Sequence, residues 1–258
     1  MIEIFIIALV AASASLLTFF SGFGLGTILT PVLIIFFPVE VAIALTGIVH
    51  FLNNLFKMLL VYKQINWKVG IKFGAAAVIG AFAGAELLLF FSNIEPVYTY
   101  TFLNKTCSIS IIKLIISVLM IVFALLEAVP AFENIQFDKN KLYVGGILSG
   151  FFGGLSGYQG ALRSMFLLRC GLTKEKFIAT GVLIACVVDI TRLSVYFNRL
   201  TNINIEENKY VLIIAVLFAF VGAFIGSKLL KKVTLTFIQM TVTVMIIILS
   251  IGLGTGLL

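Results

Sequence analysis

Polar side chains recur at helical spacing inside one long apolar segment of this chain, residues 40–62. Five of them lie at steps of three and four residues: Thr46, His50, Asn53, Asn54 and Lys57. Such steps place side chains on one face of a helix. Polar groups inside a bilayer are costly and usually functional, so this polar stripe must face protein or water.

The apolar segment 175–197 carries Asp189, Arg192 and Tyr196 on one helical face. Arginine can hold an oxyanion through two parallel hydrogen bonds, because its guanidinium presents a planar fork of donors. We therefore expect Arg192 to bind an anion while Asp189, one turn earlier, holds the guanidinium in position. A purely structural ion pair between the two residues is the alternative.

Three further side chains have two candidate roles each. His50 is the single histidine, and its unperturbed pKa of about 6.5 suits proton coupling, although an interhelical hydrogen bond would also explain it. Lys57 is predicted, with Asn54, to contact the anion, unless it snorkels to the cytoplasmic surface. Arg163 is interpreted as marking the cytoplasmic end of a short helix, with contact to the substrate as the alternative.

Composition places these residues in a membrane protein. Hydrophobic residues make up 61% of the 258 and charged residues only 11%, with a mean hydropathy of +1.19. Soluble domains carry roughly 25% charged residues. Apolar runs long enough to cross a bilayer lie at about 2–20, 40–62, 69–91, 109–129, 175–197, 209–230 and 234–256, and shorter ones at about 23–37, 142–156 and 158–170.

These runs predict an all-α polytopic membrane protein with about 8–10 membrane segments. A membrane β-barrel would show short alternating segments instead. Residues 1–20 are interpreted as a retained helix, because Glu3 stands where a signal peptide would carry positive charge.

Two glycine-rich motifs interrupt the apolar runs, SGFGLGT at 21–27 and SGYQGAL at 156–162. A broken helix inside a bilayer exposes the N–H groups of a new N-terminus, which can bind an anion. The residues predicted to contact the anion are Ser21, Gly22, Gly24 and Gly26 in the first motif, and Ser156, Gly157, Gln159 and Gly160 in the second. The alternative is that these glycines only permit tight packing, as we expect for Gly80, Gly84, Gly222 and Gly226.

The two motifs belong to an internal repeat. ALTG at 44–47 matches IATG at 178–181, KMLLVY at 57–62 matches TRLSVY at 191–196, and GAFAGAELL at 80–88 matches GAFIGSKLL at 222–230. The matches keep the same order. The sequence predicts a first transmembrane repeat at 1–129, a linker at 130–141 and a second repeat at 142–258, with the substrate between the two broken segments.

Short loops rich in Lys and Arg predict the orientation, because such loops stay in the cytoplasm. They follow the runs 40–62 and 209–230 and precede the run 175–197. All three fall on one side, which places both termini outside and makes the repeats inverted. Glu86 and Lys228 occupy matched positions, and their opposite charges agree with this arrangement.

Several function classes are disfavoured. The cysteines Cys107, Cys170 and Cys186 have no spacing typical of a metal site or a disulfide, and no cofactor or metal is expected. The net charge of +7 comes from short loops rather than from a basic block, which argues against nucleic acid. A membrane enzyme is disfavoured, because the single histidine allows no evident nucleophile–base arrangement.

The chain resembles the TauE/SafE family, also called the 4-toluene sulfonate uptake permease family. The resemblance rests on the glycine-rich break followed by Pro31, on INWK at 65–68, and on the GAFAG and GAFIG motifs. It implies transport of sulfite, organosulfonates or related sulfur-containing anions. We expect a secondary transporter of a prokaryotic inner membrane that works by alternating access, with a proton as the candidate coupling ion. An anion channel is the alternative.

Overall fold

The computed structural model describes residues 2–21, 24–129, 132, 135–199, 205–229 and 236–258. Ten α-helices run through this part of the chain: α1 Ile2–Ser21, α2 Leu25–Ile34, α3 Val39–Val61, α4 Trp67–Ser92, α5 Ile111–Ala128, α6 Leu142–Ser156, α7 Gly160–Leu167, α8 Lys174–Arg199, α9 Ile205–Leu229 and α10 Thr236–Gly254. Three short 3-10 turns, Tyr62–Gln64, Lys139–Lys141 and Leu168–Cys170, extend or precede these helices.

The helices confirm an all-α polytopic membrane fold. Five of them, α3, α4, α5, α8 and α9, are long and apolar enough to cross a membrane. Shorter apolar stretches lie at Glu3–Leu17, Leu25–Ile34 and Met240–Gly254.

Helix ends follow from local sequence. Asn66 caps α4, because its side chain accepts a hydrogen bond from the Val69 N–H at 3.1 Å. Ser110 caps α5 in the same way, accepting from the Lys113 N–H at 3.3 Å. Both caps leave an otherwise apolar helix with a defined start.

A β-hairpin between α4 and α5 was not predicted. Its strands are β1, Tyr98–Phe102, and β2, Lys105–Ile109, which pair antiparallel. Leu103 and Asn104 form the two-residue turn, both with positive φ, as a type I′ turn requires. The Tyr100 hydroxyl donates to the Thr255 carbonyl, so the hairpin holds the chain just after α10.

The helices α6 and α7 form a hairpin that returns to its starting side. The Phe137 N–H, just before α6, donates to the Met165 carbonyl near the end of α7 at 3.0 Å. The Phe137 ring also stacks on Phe166, with centroids 4.4 Å apart. Because the 15 residues of α6 rise only about 22 Å, this pair is shorter than a hydrocarbon core of roughly 30 Å. The second broken pair therefore forms a short helical hairpin.

Two helix pairs pack backbone to backbone. A Cβ built on Gly80 of α4 would lie 2.1 Å from the Ile147 carbonyl oxygen of α6, and one on Gly222 of α9 would lie 2.0 Å from the Ala12 carbonyl oxygen of α1. Gly80 and Gly222 occupy matched positions, and Ile147 and Ala12 each precede the serine of their glycine motif by the same interval. The tight packing predicted for Gly80, Gly84 and Gly222 is confirmed.

Two further contacts join helices at equivalent places in the two predicted repeats. The helix α3 packs against α8, and α5 against α10. If α1–α5 correspond in order to α6–α10, each of these pairs joins two equivalent helices, and the α4–α6 pair corresponds to the α9–α1 pair. These contacts agree with two repeats of five helices, while the division of the chain at 130–141 stays a prediction.

Candidate functional site

The two glycine breaks touch each other. A Cβ built on Gly26 of α2 would lie 3.2 Å from the carbonyl oxygen of Gly157, which ends α6. Gly157 has a φ of +84° and Gly24, which precedes α2, a φ of +132°. Only glycine adopts such angles readily. The chain therefore reverses at two adjacent points inside the fold.

A buried ionic group lies beside the second break. The Arg192 guanidinium donates from Nε and Nη2 to Asp189 Oδ1, at 3.0 Å and 2.8 Å. The other carboxylate oxygen of Asp189 lies 2.6 Å from His50 Nδ1. The predicted pair of Asp189 and Arg192 is confirmed, whereas the contact with His50 joins helices 139 residues apart and was not predicted.

Gln159 connects the second break to this ionic group. Its side-chain nitrogen donates to Asp189 Oδ1 at 3.5 Å, and its side-chain oxygen accepts from Arg163 Nη1 at 3.4 Å. Its backbone carbonyl accepts from the Ser149 hydroxyl at 3.0 Å. The interpretation of Arg163 as a marker of the cytoplasmic surface was wrong, because this side chain is buried in the middle of α7.

The Arg192 guanidinium lies between two glycines. A Cβ on Gly47 of α3 would lie 3.3 Å from Arg192 Cζ, and one on Gly157 would lie 3.0 Å from Arg192 Nη1. Arg192 Nη1 also donates to the Gly153 carbonyl at 3.4 Å, and the Tyr196 hydroxyl donates to the Gly154 carbonyl. The polar face of α8 therefore lies against the end of α6.

The polar stripe of α3 is buried, as predicted. Lys57 is only 2% exposed, which excludes snorkelling. With the Asn53 amide turned to satisfy both its atoms, its oxygen accepts from Lys57 Nζ at 3.2 Å and its nitrogen donates to the Ala219 carbonyl at 3.2 Å. The Asn54 amide nitrogen lies 3.1 Å from His50 Nδ1. Lys57 thus contacts Asn53 on the side of α3 that faces α9, and Asn54 contacts His50.

The first break has different partners. The Thr27 hydroxyl, in the first turn of α2, donates to a carboxyl oxygen of Glu127 on α5 at 2.9 Å. A carboxylate is favourable at a helix N-terminus, because the helix dipole is positive there. Glu127 was not singled out from the sequence, although it is an acidic residue at the end of an apolar run.

The other predicted residues lie as follows. The Ser156 hydroxyl donates to its own helix at the Phe152 carbonyl and accepts from the Tyr158 N–H. Gly160 begins α7. Ser21 ends α1, with its side chain outside the described part, and Gly22 lies outside the described residues. The structure thus brings Asn54, His50, Gln159, Gly157 and Arg192 together around Asp189.

The described residues also include a group of buried hydroxyls, of which only Thr46 was singled out from the sequence. Among the described residues, the Thr30, Thr46 and Tyr158 hydroxyl oxygens are buried and have no hydrogen-bond partner. Thr30 was not considered, because a threonine inside an apolar run is typical of helix packing and gives no local signal of a binding role. Such orphan hydroxyls are few in native proteins, and each calls for a reason.

Glycine breaks that meet beside a buried arginine, inside a polytopic helical fold, are typical of the substrate sites of secondary transporters. A family model described as Sulfite exporter TauE/SafE matches residues 7–253. This chain belongs to the TauE/SafE family, whose description implies transport of sulfur anions such as sulfite. No curated protein and no solved structure matches the chain.

Proposed function

We propose that this protein is a secondary transporter of a small sulfur-containing oxyanion, sulfite or an organosulfonate. The observation that carries the proposal is the Arg192 guanidinium, which is only 1% exposed and lies where the two breaks meet. The family description supports the same class of substrate. Substrate contacts come from Arg192 and from the N-terminal turn of α7.

The charge of the site favours an anion. Three basic side chains, Lys57, Arg163 and Arg192, are buried in the described fold, against the buried Asp189 and the partly buried Glu127. Basic side chains at this depth attract an anion and repel a cation, because electrostatic interactions are strong in a low-dielectric environment.

The geometry favours an oxyanion with several oxygens on one atom. The guanidinium fork can donate to two oxygens in parallel, as it does to carboxylates and phosphates. The α7 N-terminus, beginning at Gly160, adds backbone N–H groups and the positive end of its dipole. Sulfite and sulfonate groups have oxygens that can accept hydrogen bonds from both the guanidinium and these N–H groups.

Burial favours alternating access over the channel alternative. Asp189 is fully buried, Arg192 is 1% exposed and His50 is 8% exposed. A conducting channel needs an open aqueous path through its selective site, whereas a transporter closes the site between its two access states. We therefore propose that a relative movement of the repeats opens the site to each side in turn.

We propose His50 and Asp189 as the proton-coupling pair. In the unprotonated pair, the Asp189 carboxylate neutralises the Arg192 guanidinium that it contacts. A proton on the pair weakens this neutralisation and leaves more positive charge for the substrate. Proton and anion then favour each other's binding, which is the requirement for coupled movement.

We further propose that the protein lies in a prokaryotic inner membrane with both termini outside. The basic segment between α3 and α4, which ends at the exposed Lys68 in the first turn of α4, then faces the cytoplasm. A cysteine replacing Lys68 should react with an impermeant maleimide only after the cells are opened. Labelling of intact cells would reverse the orientation.

Ligand binding by the purified protein tests the function. Methanesulfonate and sulfite should raise the melting temperature, since a ligand at a hundred times its Kd adds about 2.7 kcal/mol of stability. Acetate and sodium chloride at equal ionic strength are the controls. A shift with cations and none with any sulfur oxyanion would overturn the proposal.

A further inference from the structure

The Thr30 hydroxyl is one of three buried hydroxyls among the described residues that have no assigned role. Thr30 lies on α2 one turn after Gly26, is fully buried, and its oxygen has no hydrogen-bond partner among the described residues. A hydroxyl buried without a partner is unfavourable. In a segment that contacts the second break, such a donor points to a ligand.

Thr30 and Arg192 approach the same point from different repeats. A Cβ built on Gly157 would lie 3.9 Å from Thr30 Oγ1 and 3.0 Å from Arg192 Nη1. The left-handed φ of Gly157 disfavours any other residue, and a side chain there would crowd the guanidinium. The hydroxyl and the guanidinium thus both lie next to Gly157.

We propose that Thr30 donates a hydrogen bond to the same anion that Arg192 binds, so that each repeat supplies one side-chain ligand. This inference rests on the proposed function and makes it more specific. A pyramidal XO3 group has three oxygens, of which two match the guanidinium fork and the third faces away from it. Thr30 is placed for that third oxygen.

The arrangement gives selectivity against carboxylates. A carboxylate has two oxygens, and when both contact the guanidinium none remains for the Thr30 hydroxyl. The carboxylate complex then leaves this buried donor unpaired, whereas the sulfonate complex satisfies it. A site that pairs a buried donor with one ligand discriminates strongly against a ligand lacking that acceptor.

The test is the Thr30→Val variant, which keeps the shape of the side chain and removes the hydroxyl. We expect the Kd for methanesulfonate to rise about tenfold while the Kd for acetate stays unchanged. Thr30→Ser, which retains the hydroxyl, should bind methanesulfonate within about threefold of the unmodified protein. The melting temperature of ligand-free Thr30→Val should not fall, because no hydrogen bond within the protein is lost.

Thr191→Val is the matched control. Its hydroxyl donates to the Val187 carbonyl of its own helix at 2.9 Å, so its removal should change neither Kd. Unchanged methanesulfonate binding by Thr30→Val would overturn this inference but not the proposed function. An equal loss for acetate would contradict the role of the third oxygen. No binding of any sulfur oxyanion by the unmodified protein would overturn both.

Discussion

The two glycine breaks share a backbone design but differ in chemistry. Both place a glycine with positive φ before a short helix, and they touch at Gly26 and Gly157. Around the second break lie two arginines and the Asp189 carboxylate. At the matched positions of the first repeat stand apolar residues, Ile28 for Arg163 and Met58 for Arg192.

The difference leads us to propose one anion site rather than two. The N-terminus of α2 already has an acidic partner, because Thr27 donates to Glu127. At the second break the Asp189 carboxylate is paired with Arg192, and Arg163 adds a second buried positive charge. The fold therefore places a glycine break in each half, while the two arginines of the proposed anion site come from the second half.

The largest expected effect is a difference in stability between the Arg192→Ala variant and the variant at the matched position, Met58→Ala. Arg192→Ala leaves Asp189 buried without its cation, and breaking such a pair costs about 3–5 kcal/mol. Met58→Ala removes a half-buried apolar side chain, so it should cost about 1–2 kcal/mol. Thermal melting in detergent measures both. Equal losses of stability would mean that the pair of Asp189 and Arg192 contributes no more to stability than an apolar contact.

The next effect tests the equivalence of the two tight helix pairs. Gly80→Ala and Gly222→Ala place a Cβ about 2 Å from a facing carbonyl oxygen, so each should lower stability by about 1–3 kcal/mol. Gly74→Ala on α4 is the control, because its Cβ has room, at 3.9 Å from Val187. If only one of the two variants melts early, the repeats do not pack equivalently.

The helices could be predicted from the sequence, because apolar length and glycine motifs are local signals. The runs at 142–156 and 158–170 match α6 and α7, and the run 40–62 matches α3, to within a few residues. The hairpin Tyr98–Ile109 was missed, because a short alternating segment was not examined between such long apolar runs.

The site could be predicted only in part. The i,i+3 pair of Asp189 and Arg192 follows from helical spacing, and the stripe through His50 follows from the same rule. The contact of His50 with Asp189 depends on how α3 packs on α8, which no local pattern fixes. Arg163 was misassigned for the same reason, since its burial depends on Gln159 and on the helices around α7.

A smaller effect concerns the contact of His50 with Asp189, which joins the two predicted repeats. Methanesulfonate stays ionised, so its affinity should rise about tenfold between pH 8 and pH 5, as a proton enters the pair of His50 and Asp189. His50→Gln should flatten this dependence. Asn54→Ala removes a contact of the ring but no titratable group, and should keep the slope. A wild-type slope in His50→Gln would reduce His50 to a structural role.

The smallest effect is expected at the first break. Glu127→Gln keeps an acceptor for Thr27 but removes the negative charge from the α2 N-terminus, so at about pH 8 anion affinity should rise about two- to fivefold. Stability should fall by less than about 1 kcal/mol. Glu175→Gln, an exposed acid in the first turn of α8, is the control and should leave affinity unchanged. A fall in affinity would place Glu127 among the substrate ligands.

The central claim, that Arg192 binds the anion, is tested most directly by methanesulfonate titration of Arg192→Lys. Lysine keeps the charge and can still pair with Asp189, but it loses the planar fork. The Kd should rise about tenfold to a hundredfold, or about 1.4–3 kcal/mol, with the fold intact. A folded Arg192→Lys protein with unaltered affinity would contradict the account. Arg192 would then belong to a structural pair, and the positive charge of the site would have to come from other groups.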